Sequence, residues 1–207
     1  MQSIPWKVLK ERFPKKCFNV LDMAAGTGDI AHRLQHMANL HNLNVSITLA
    51  DPNPSMLAEA KRRPHPKAWR FADEDAAHIK TLKPNTFHLY TIAFGLRNIE
   101  HKVKALGEAY RLLKPGGLFY CLEFTQPPSP LWKFFFNAYL KTWVPFLAQA
   151  MAKKPAPYRY LTNSIQAFPK APIVQEMIEN VGFMETGFSL VSGGVTAIHW
   201  GQKPSAP

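Results

Sequence analysis

Short apolar runs recur along this chain between stretches of helical periodicity, and that alternation restricts it to few folds. FNVLDM (Phe18–Met23), VSITLAD (Val45–Asp51), AWRFAD (Ala68–Asp73), HLYTIAF (His88–Phe94) and LFYCLEF (Leu118–Phe124) read as strands. Behind the first, Ile30, Leu34 and Met37 recur at helical spacing. After the second, Asn53 is a good N-cap with Pro54 at the first helical position. A helix from about Val103 to Leu113 stops at Pro115-Gly116-Gly117. Such strand–helix repetition builds a largely parallel sheet covered by helices. The alternation then breaks: from Gln126 to about Lys170 the chain is rich in Pro, aromatics and Lys, with helical stretches and no clear strand. A last helix, Ile173 to Val181, ends at Gly182. FMETGFSLV and TAIHWGQK, separated by Ser192-Gly193-Gly194, predict a terminal antiparallel hairpin. The expected fold is one α/β domain over residues 1–207, mostly parallel, with a C-terminal hairpin and a helical, aromatic-rich insertion at about 127–169 before the last helix.

Composition narrows the function. The 207 residues suit a single domain with a core of its own. Two cysteines, Cys17 and Cys121, exclude a disulfide scaffold and a four-thiolate zinc site. A net charge of +11 suits anionic partners and says nothing of fold. No apolar run reaches the length that spans a bilayer, since Lys133, Lys141 and Pro145 interrupt Leu131–Met151. The N-terminus has neither a secretory core nor a transit-peptide pattern, so we expect a cytoplasmic protein or one whose leader is removed.

The densest signal is Leu21-Asp22-Met23-Ala24-Ala25-Gly26-Thr27-Gly28-Asp29. A strand entering glycines and then a helix lets backbone approach a ligand at the helix N-terminus. Asp51 ends the next strand, where a carboxylate can accept hydrogen bonds from both hydroxyls of a ribose. The plainer reading is that Asp29 caps its helix and Asp51 starts a turn. A dinucleotide site wants G-x-G-x-x-G, but Ala31 holds the third position. An acid-rich mouth of Asp22, Asp29 and Asp51 suits a sulfonium better than a pyrophosphate. Asp73-Glu74-Asp75-Ala76 adds acid where an adenine amino group would sit. S-adenosyl-L-methionine (SAM) is therefore the favoured ligand, with no metal. Tyr110 and Lys114 match the Y-x-x-x-K of short-chain reductases but precede a Pro-Gly-Gly turn; we expect Tyr110 to pack and Lys114 to face water at the helix C-terminus.

With these residues in hand the chain resembles the class I SAM-dependent methyltransferases, whose sheet is Rossmann-like, and among them the C-methyltransferases of ubiquinone and menaquinone biosynthesis. The resemblance runs from about Trp6 to Lys203. It rests on Gly26–Ala31 (GTGDIA), Tyr90–Asn98 (YTIAFGLRN), Arg111–Gly117 (RLLKPGG) with Leu122–Thr125 (LEFT), Tyr158–Leu161 (YRYL) with Ser164-Ile165, and Gly194–Gly201 (GVTAIHWG). The Gly-Asp-Ile-Ala and Tyr-Thr-Ile-Ala-Phe-Gly wording looks most like the mitochondrial ubiquinone branch. Ala25 stands where the family usually has glycine, and Thr125 where it has serine. The family's upstream segment, with its Tyr-Asp-x-Met-Asn and His-x-x-Trp signature, does not occur in these residues, and Trp6-Lys7 matches its tail. The resemblance thus implies a chain that binds cofactor and lacks a segment that helps close the site.

The implied reaction moves a methyl from SAM to a ring carbon of a polyprenylated methoxy-benzoquinol. A quinol losing its hydroxyl proton pushes electron density into the ring, whose carbon attacks the methyl in line. The protein must align the pair, stabilise the phenolate and accept a proton. By resemblance Arg97 stabilises the quinolate oxygen and Asn98 orients the ring. The alternative is that Arg97 pairs with Glu100 or Glu123 and fixes its loop. Asp22, Gly26, Thr27, Gly28, Asp51, Asp75, Ala76 and Ala93 are the expected cofactor residues, and Tyr158, Arg159 and Tyr160 the expected substrate residues. No base is identified: His199 reads as a packed histidine, and Glu123 as a site member or a structural acid. In the insertion, Trp132, Phe134, Phe135, Phe136, Tyr139, Trp143 and Phe146 offer apolar area for an isoprenoid tail or membrane, with Lys133, Lys141, Lys153 and Lys154 against anionic head groups. Covering the sheet or forming a dimer contact is the plainer use of those aromatics. The resemblance further implies peripheral membrane contact, other ubiquinone-biosynthesis enzymes or a second copy as partners, and the matrix face of the mitochondrial inner membrane or a bacterial cytoplasm. Alternative readings are a demethylmenaquinone methyltransferase, a non-catalytic SAM-binding scaffold, and a nucleic-acid methyltransferase. The last lacks an Asn/Asp-Pro-Pro-Tyr/Phe tetrad and a Pro-Cys nucleophile, so no nucleic acid is expected.

Overall fold

The computed structural model describes residues 6–13, 17–126 and 163–205. Its elements are α1 (Trp6–Arg12), β1 (Phe18–Met23), α2 (Asp29–Leu40), β2 (Val45–Ala50), α3 (Pro54–Arg62), β3 (Arg70–Ala72), β4 (Phe87–Ala93), α4 (Lys102–Leu112), β5 (Leu113–Phe124), α5 (Ala171–Asn180), β6 (Met184–Val191) and β7 (Thr196–Gln202). The strands form one seven-stranded sheet in the order β3-β2-β1-β4-β5-β7-β6. β1 to β5 run parallel, while β7 inserts antiparallel between β5 and β6. The expected α/β sheet with its C-terminal hairpin is therefore present.

Central strands buried on both faces show as near-continuous apolar runs. Along β1 the period of two sends Leu21 and Met23 to a core with Tyr90, Leu106, Phe119 and Ile178 under α4 and α5. Val20 goes to the opposite core with Trp6, Leu34, Ile47 and Leu57 under α1, α2 and α3. Asp22 shares the face of Val20. Asn53 caps α3, its side-chain oxygen accepting from the Ser55 amide at 3.0 Å, with Pro54 following as expected.

The expected helix α2 forms, burying Leu34 with Ala31 and Ala38, while Ile30 and Met37 pack partly buried against the same core. Other expectations need correction. β3 is only three residues long. β5 begins at Leu113, before the Pro-Gly-Gly turn, because Gly116 and Gly117 exchange backbone hydrogen bonds with Lys203 (both 2.9 Å) and so stay in the sheet. Lys114 consequently lies half-buried on a strand with Nζ 3.1 Å from His88 Nε2, not on a helix end in water. Tyr110 packs edge-on against Phe183, as expected. Of the insertion, residues 163–167 are helical and Phe168 joins the core; the aromatics and lysines named between 132 and 154 lie outside the described residues. No helix among the described residues is long and apolar enough to cross a membrane.

Candidate cofactor and active site

The strand order reverses between β1 and β4, and open α/β sheets bind ligands outside the carboxyl ends of strands at such a point. The turn after β1 is built for close backbone approach. Ala24 and Gly26 both take φ +54° and Gly28 takes +85°, whereas Ala25 is not among the left-handed residues, so alanine is accommodated there. A Cβ on Gly95, in the turn after β4, would lie 2.4 Å from Ala24 Cβ; the two turns touch and only glycine fits. Asp51 follows β2 and is 8% exposed. Its Oδ2 accepts from the Gly26 amide and its Oδ1 from the Asn53 amide, both at 2.8 Å. Those amides pin the carboxylate across the turn and leave lone pairs on each oxygen.

Between these turns lies a cavity of about 510 Å³. Of the expected residues, Asp51, Asp75, Ala76 and Asn98 line it. Asp75 is held by the Ala77 amide at 2.8 Å. Gly26 and Gly28 shape the turn, while Thr27 hydrogen-bonds Asp29 at 3.0 Å and neither it nor Ala93 is among the lining residues. Asp22 leads into the turn, 1% exposed; Thr91 donates to its Oδ1 at 2.8 Å and its Oδ2 has no partner among the described residues. Burial pushes its carboxyl up to about 7, with Thr91 and the Ala31 backbone opposing and Asp51 adding to the rise.

Asp29 does not join the mouth. Its side chain is 68% exposed and pairs with Arg63 at 2.8 Å, a hydrogen bond that holds its pKa below the usual carboxylate range. It makes no side-chain cap either, Gly28 being the N-cap of α2. Sequence reasoning also missed Met23, Pro52, Ala77, His78, Ile99, Glu100 and His101 in the lining. Each is a near neighbour of a residue it did name, so strand-tip adjacency was the available signal. Among the described residues the lining includes three carboxylates (Asp51, Asp75, Glu100) and neither lysine nor arginine.

Arg97 lies on a 3-10 turn, Leu96–Asn98, between β4 and α4. Its Nη1 is 2.9 Å from Glu123 Oε1 and also bonds the Phe94 carbonyl; its backbone amide donates to Glu123 Oε2 at 3.1 Å. The pairing left open in the sequence is thus made with Glu123, while Asn98 alone of the two reaches the cavity wall. Burial raises the Glu123 pKa, the adjacent Arg97 opposing. His199 is 1% exposed in β7 opposite Cys121, with neither ring nitrogen partnered among the described residues, and burial lowers its pKa to about 4: a packed histidine, as expected. Tyr158, Arg159 and Tyr160 lie outside the described residues.

A mitochondrial 2-methoxy-6-polyprenyl-1,4-benzoquinol methylase of Schizosaccharomyces pombe is 41% identical over 196 residues, 89% of this chain and 64% of that protein. The ubiquinone/menaquinone biosynthesis C-methyltransferase UbiE of Zymomonas mobilis is 39% identical, over 92% of this chain and 77% of its own length. The chain thus spans under two thirds of the yeast relative. Among solved structures, a SAM-dependent methyltransferase from Aquifex aeolicus superposes with a TM-score of 0.63 at 17% identity, covering 96% of this chain and 88% of its own. Haemonchus contortus phosphoethanolamine N-methyltransferase 2 in complex with SAM gives 0.64 at 15%, covering 97% and 52%. These share the class I fold. The profile of the ubiE/COQ5 methyltransferase family matches residues 4–203, and the chain belongs to that family.

Proposed function

We propose that this chain is a SAM-dependent C-methyltransferase acting on a ring carbon of a polyprenylated methoxy-benzoquinol in ubiquinone biosynthesis. The observation that carries the cofactor is the wall itself: in a chain of net charge +11, the lining among the described residues holds carboxylates and no lysine or arginine. A pyrophosphate would be repelled there and a cation-bearing nucleoside held. The Oδ2 of Asp22, without a partner among the described residues, fits the same positive charge. The residues present therefore fit SAM, which supplies an electrophilic methyl on a sulfonium.

Asp51, pinned by two amides, accepts from ribose hydroxyls, and Asp75 takes the adenine amino group. Asp22 and the Gly26–Gly28 turn receive the amino-acid end, with Thr27 and Ala93 completing the neighbourhood. On the facing wall Asn98 orients the quinol ring. Arg97 cannot serve as base, because a guanidinium stays protonated. Arg97 does not line the cavity; its Nε, buried and without a partner among the described residues, is the donor we assign to a developing quinolate oxygen once substrate is bound. Tyr158, Arg159 and Tyr160 complete the substrate side, and the insertion aromatics meet the isoprenoid tail at the surface of the mitochondrial inner membrane, matrix side. Other ubiquinone-biosynthesis enzymes and a second copy are the candidate partners.

The test is transfer of a labelled methyl from SAM to a short-tailed methoxy-benzoquinol, by the chain alone and by the chain preceded by the upstream segment of the yeast relative. Transfer to the benzoquinol is expected; preference for a naphthoquinol selects the menaquinone ring. SAM binding without transfer in both forms overturns the enzyme reading in favour of a scaffold. Asp51→Ala is expected to weaken SAM at least tenfold by calorimetry.

A further inference from the structure

A fully buried carboxylate stands at the tip of β5, and the methyl transfer as described does not use it. Glu123 is 0% exposed. Its Oε1 accepts from Arg97 Nη1 at 2.9 Å and from the Phe124 amide at 2.8 Å, and its Oε2 accepts from the Arg97 amide at 3.1 Å. Arg97 is thereby held at both ends, backbone and guanidinium, by one side chain. Phe94 and Phe124 complete the sleeve, with ring centroids 6.0 and 5.3 Å from the guanidinium carbon. The backbone on either side is equally constrained: Phe94 takes φ +54° and Gly95 abuts Ala24.

Stability is a poor reason for such a pair. Taking two charges out of water costs several kcal/mol per ion, and apolar replacements of buried pairs are often neutral or stabilising. The pair lies where the sheet binds ligands, and the three-residue turn it clamps ends in Asn98 on the cavity wall. Within the clamp one strong donor, Arg97 Nε, is buried and has no partner among the described residues. A buried donor left unpaired is unfavourable, and Glu123 holds the guanidinium beside it in place.

We propose that Glu123 is a positioning residue for methyl transfer: its carboxylate grips Arg97 at amide and guanidinium, aims the remaining guanidinium donors, and fixes the turn that presents Asn98. The inference rests on the reading of Arg97 and Asn98 as the pair that meets the quinol. Glu123 acts through them and touches neither substrate nor cofactor.

The experiment is steady-state kinetics with SAM and the short-tailed quinol, in whichever form of the chain turns over, alongside SAM calorimetry and thermal melting. Glu123→Gln is expected to lower kcat by about 100-fold, the lower end of the loss on removing an oxyanion donor. KM for the quinol and the Kd of SAM should stay within twofold, a split that a general loosening of the fold would not produce. Arg97→Gln should fall as far, and the double variant no further than Arg97→Gln alone. If Glu123→Gln keeps kcat within threefold while Arg97→Gln loses it, the positioning role is overturned and the reading of the site stands. If Arg97→Gln also keeps kcat, the reading fails first. A rise in KM or Kd at constant kcat overturns the proposal as well. Should Glu123→Gln not fold, Glu123→Asp keeps the charge but withdraws it by one methylene; a five- to tenfold fall in kcat is expected and an unchanged kcat refutes the role.

Discussion

Replacing Asp22 by asparagine should stabilise the donor-free protein and weaken its hold on SAM. The carboxyl is buried at the end of β1, one oxygen bonded to Thr91 and the other without a partner among the described residues. Its pKa is about 7 against an ordinary 3.8. Three pKa units correspond to about 4 kcal/mol of unfavourable ionisation on folding. The sign follows from proton counts. Between pH 4 and 7 the folded state holds a proton that the unfolded state has released, so stability declines as pH rises through that window and levels off above 7. Asparagine keeps an acceptor for Thr91 and carries no charge. For a domain of this size about 2–4 °C of melting temperature accompanies each kcal/mol. The variant should thus melt about 10 °C above the parent at pH 8 and level with it near pH 4, by calorimetry of both at matched pH. With SAM the order inverts: the cation favours the ionised form, so binding to the parent releases a proton near pH 6.5, measurable in buffers of differing ionisation enthalpy, and the variant releases none. A melting difference that does not change between pH 4.5 and 8 would refute the argument.

Gly95→Ala places a methyl 2.4 Å from Ala24 Cβ, between two turns that cannot both yield; it should cost about 1–3 kcal/mol on denaturant melts and weaken SAM at least tenfold. His199 gives the opposite pH slope to Asp22. Its pKa near 4 lies below the ordinary 6.5, so the unfolded state protonates first and about 3 kcal/mol is lost as pH falls from 6.5 to 4. His199→Leu should remove that acid sensitivity in urea titrations at pH 7.5 and 5, and an unchanged difference between the two would count against burial as its cause.

What could be read from the sequence was what local pattern controls. β1, β2 and β4 were legible because strands buried on both faces spell themselves as apolar runs. α1 was not: seven residues, with Trp6 and Leu9 turned inward, give no window in which a helical period can be counted. The start of β5 was hidden because proline and two glycines mark a turn, and only the distant Lys203 backbone keeps them in the sheet. In the site, the Gly26–Asp51 link follows from strand–turn–helix spacing alone. Asp29 was misplaced because its direction is set by Arg63, which no local rule pairs with it. The choice between Glu100 and Glu123 for Arg97 was likewise tertiary: register settles it, since Ala93 pairs with Leu122 and brings the next residue of β5 against the turn after β4.

The same distinction governs charge. The +11 of the whole chain misdirects if taken as a guide to the ligand, because exposed charges beyond about 8–10 Å are screened at ordinary salt. The segment from Lys61 to Arg70 alone carries Lys61, Arg62, Arg63, Lys67 and Arg70, and none of them lines the cavity. Asp51, Asp75 and Glu100 do line it, and Asp22, next to the lining residue Met23, lies in the interior, where screening is weak. A cavity whose carboxylates answer a cation can sit inside a cationic protein without contradiction. The ligand is chosen by the few groups at the strand tips, and the surface charge is left to whatever the outside of the molecule meets.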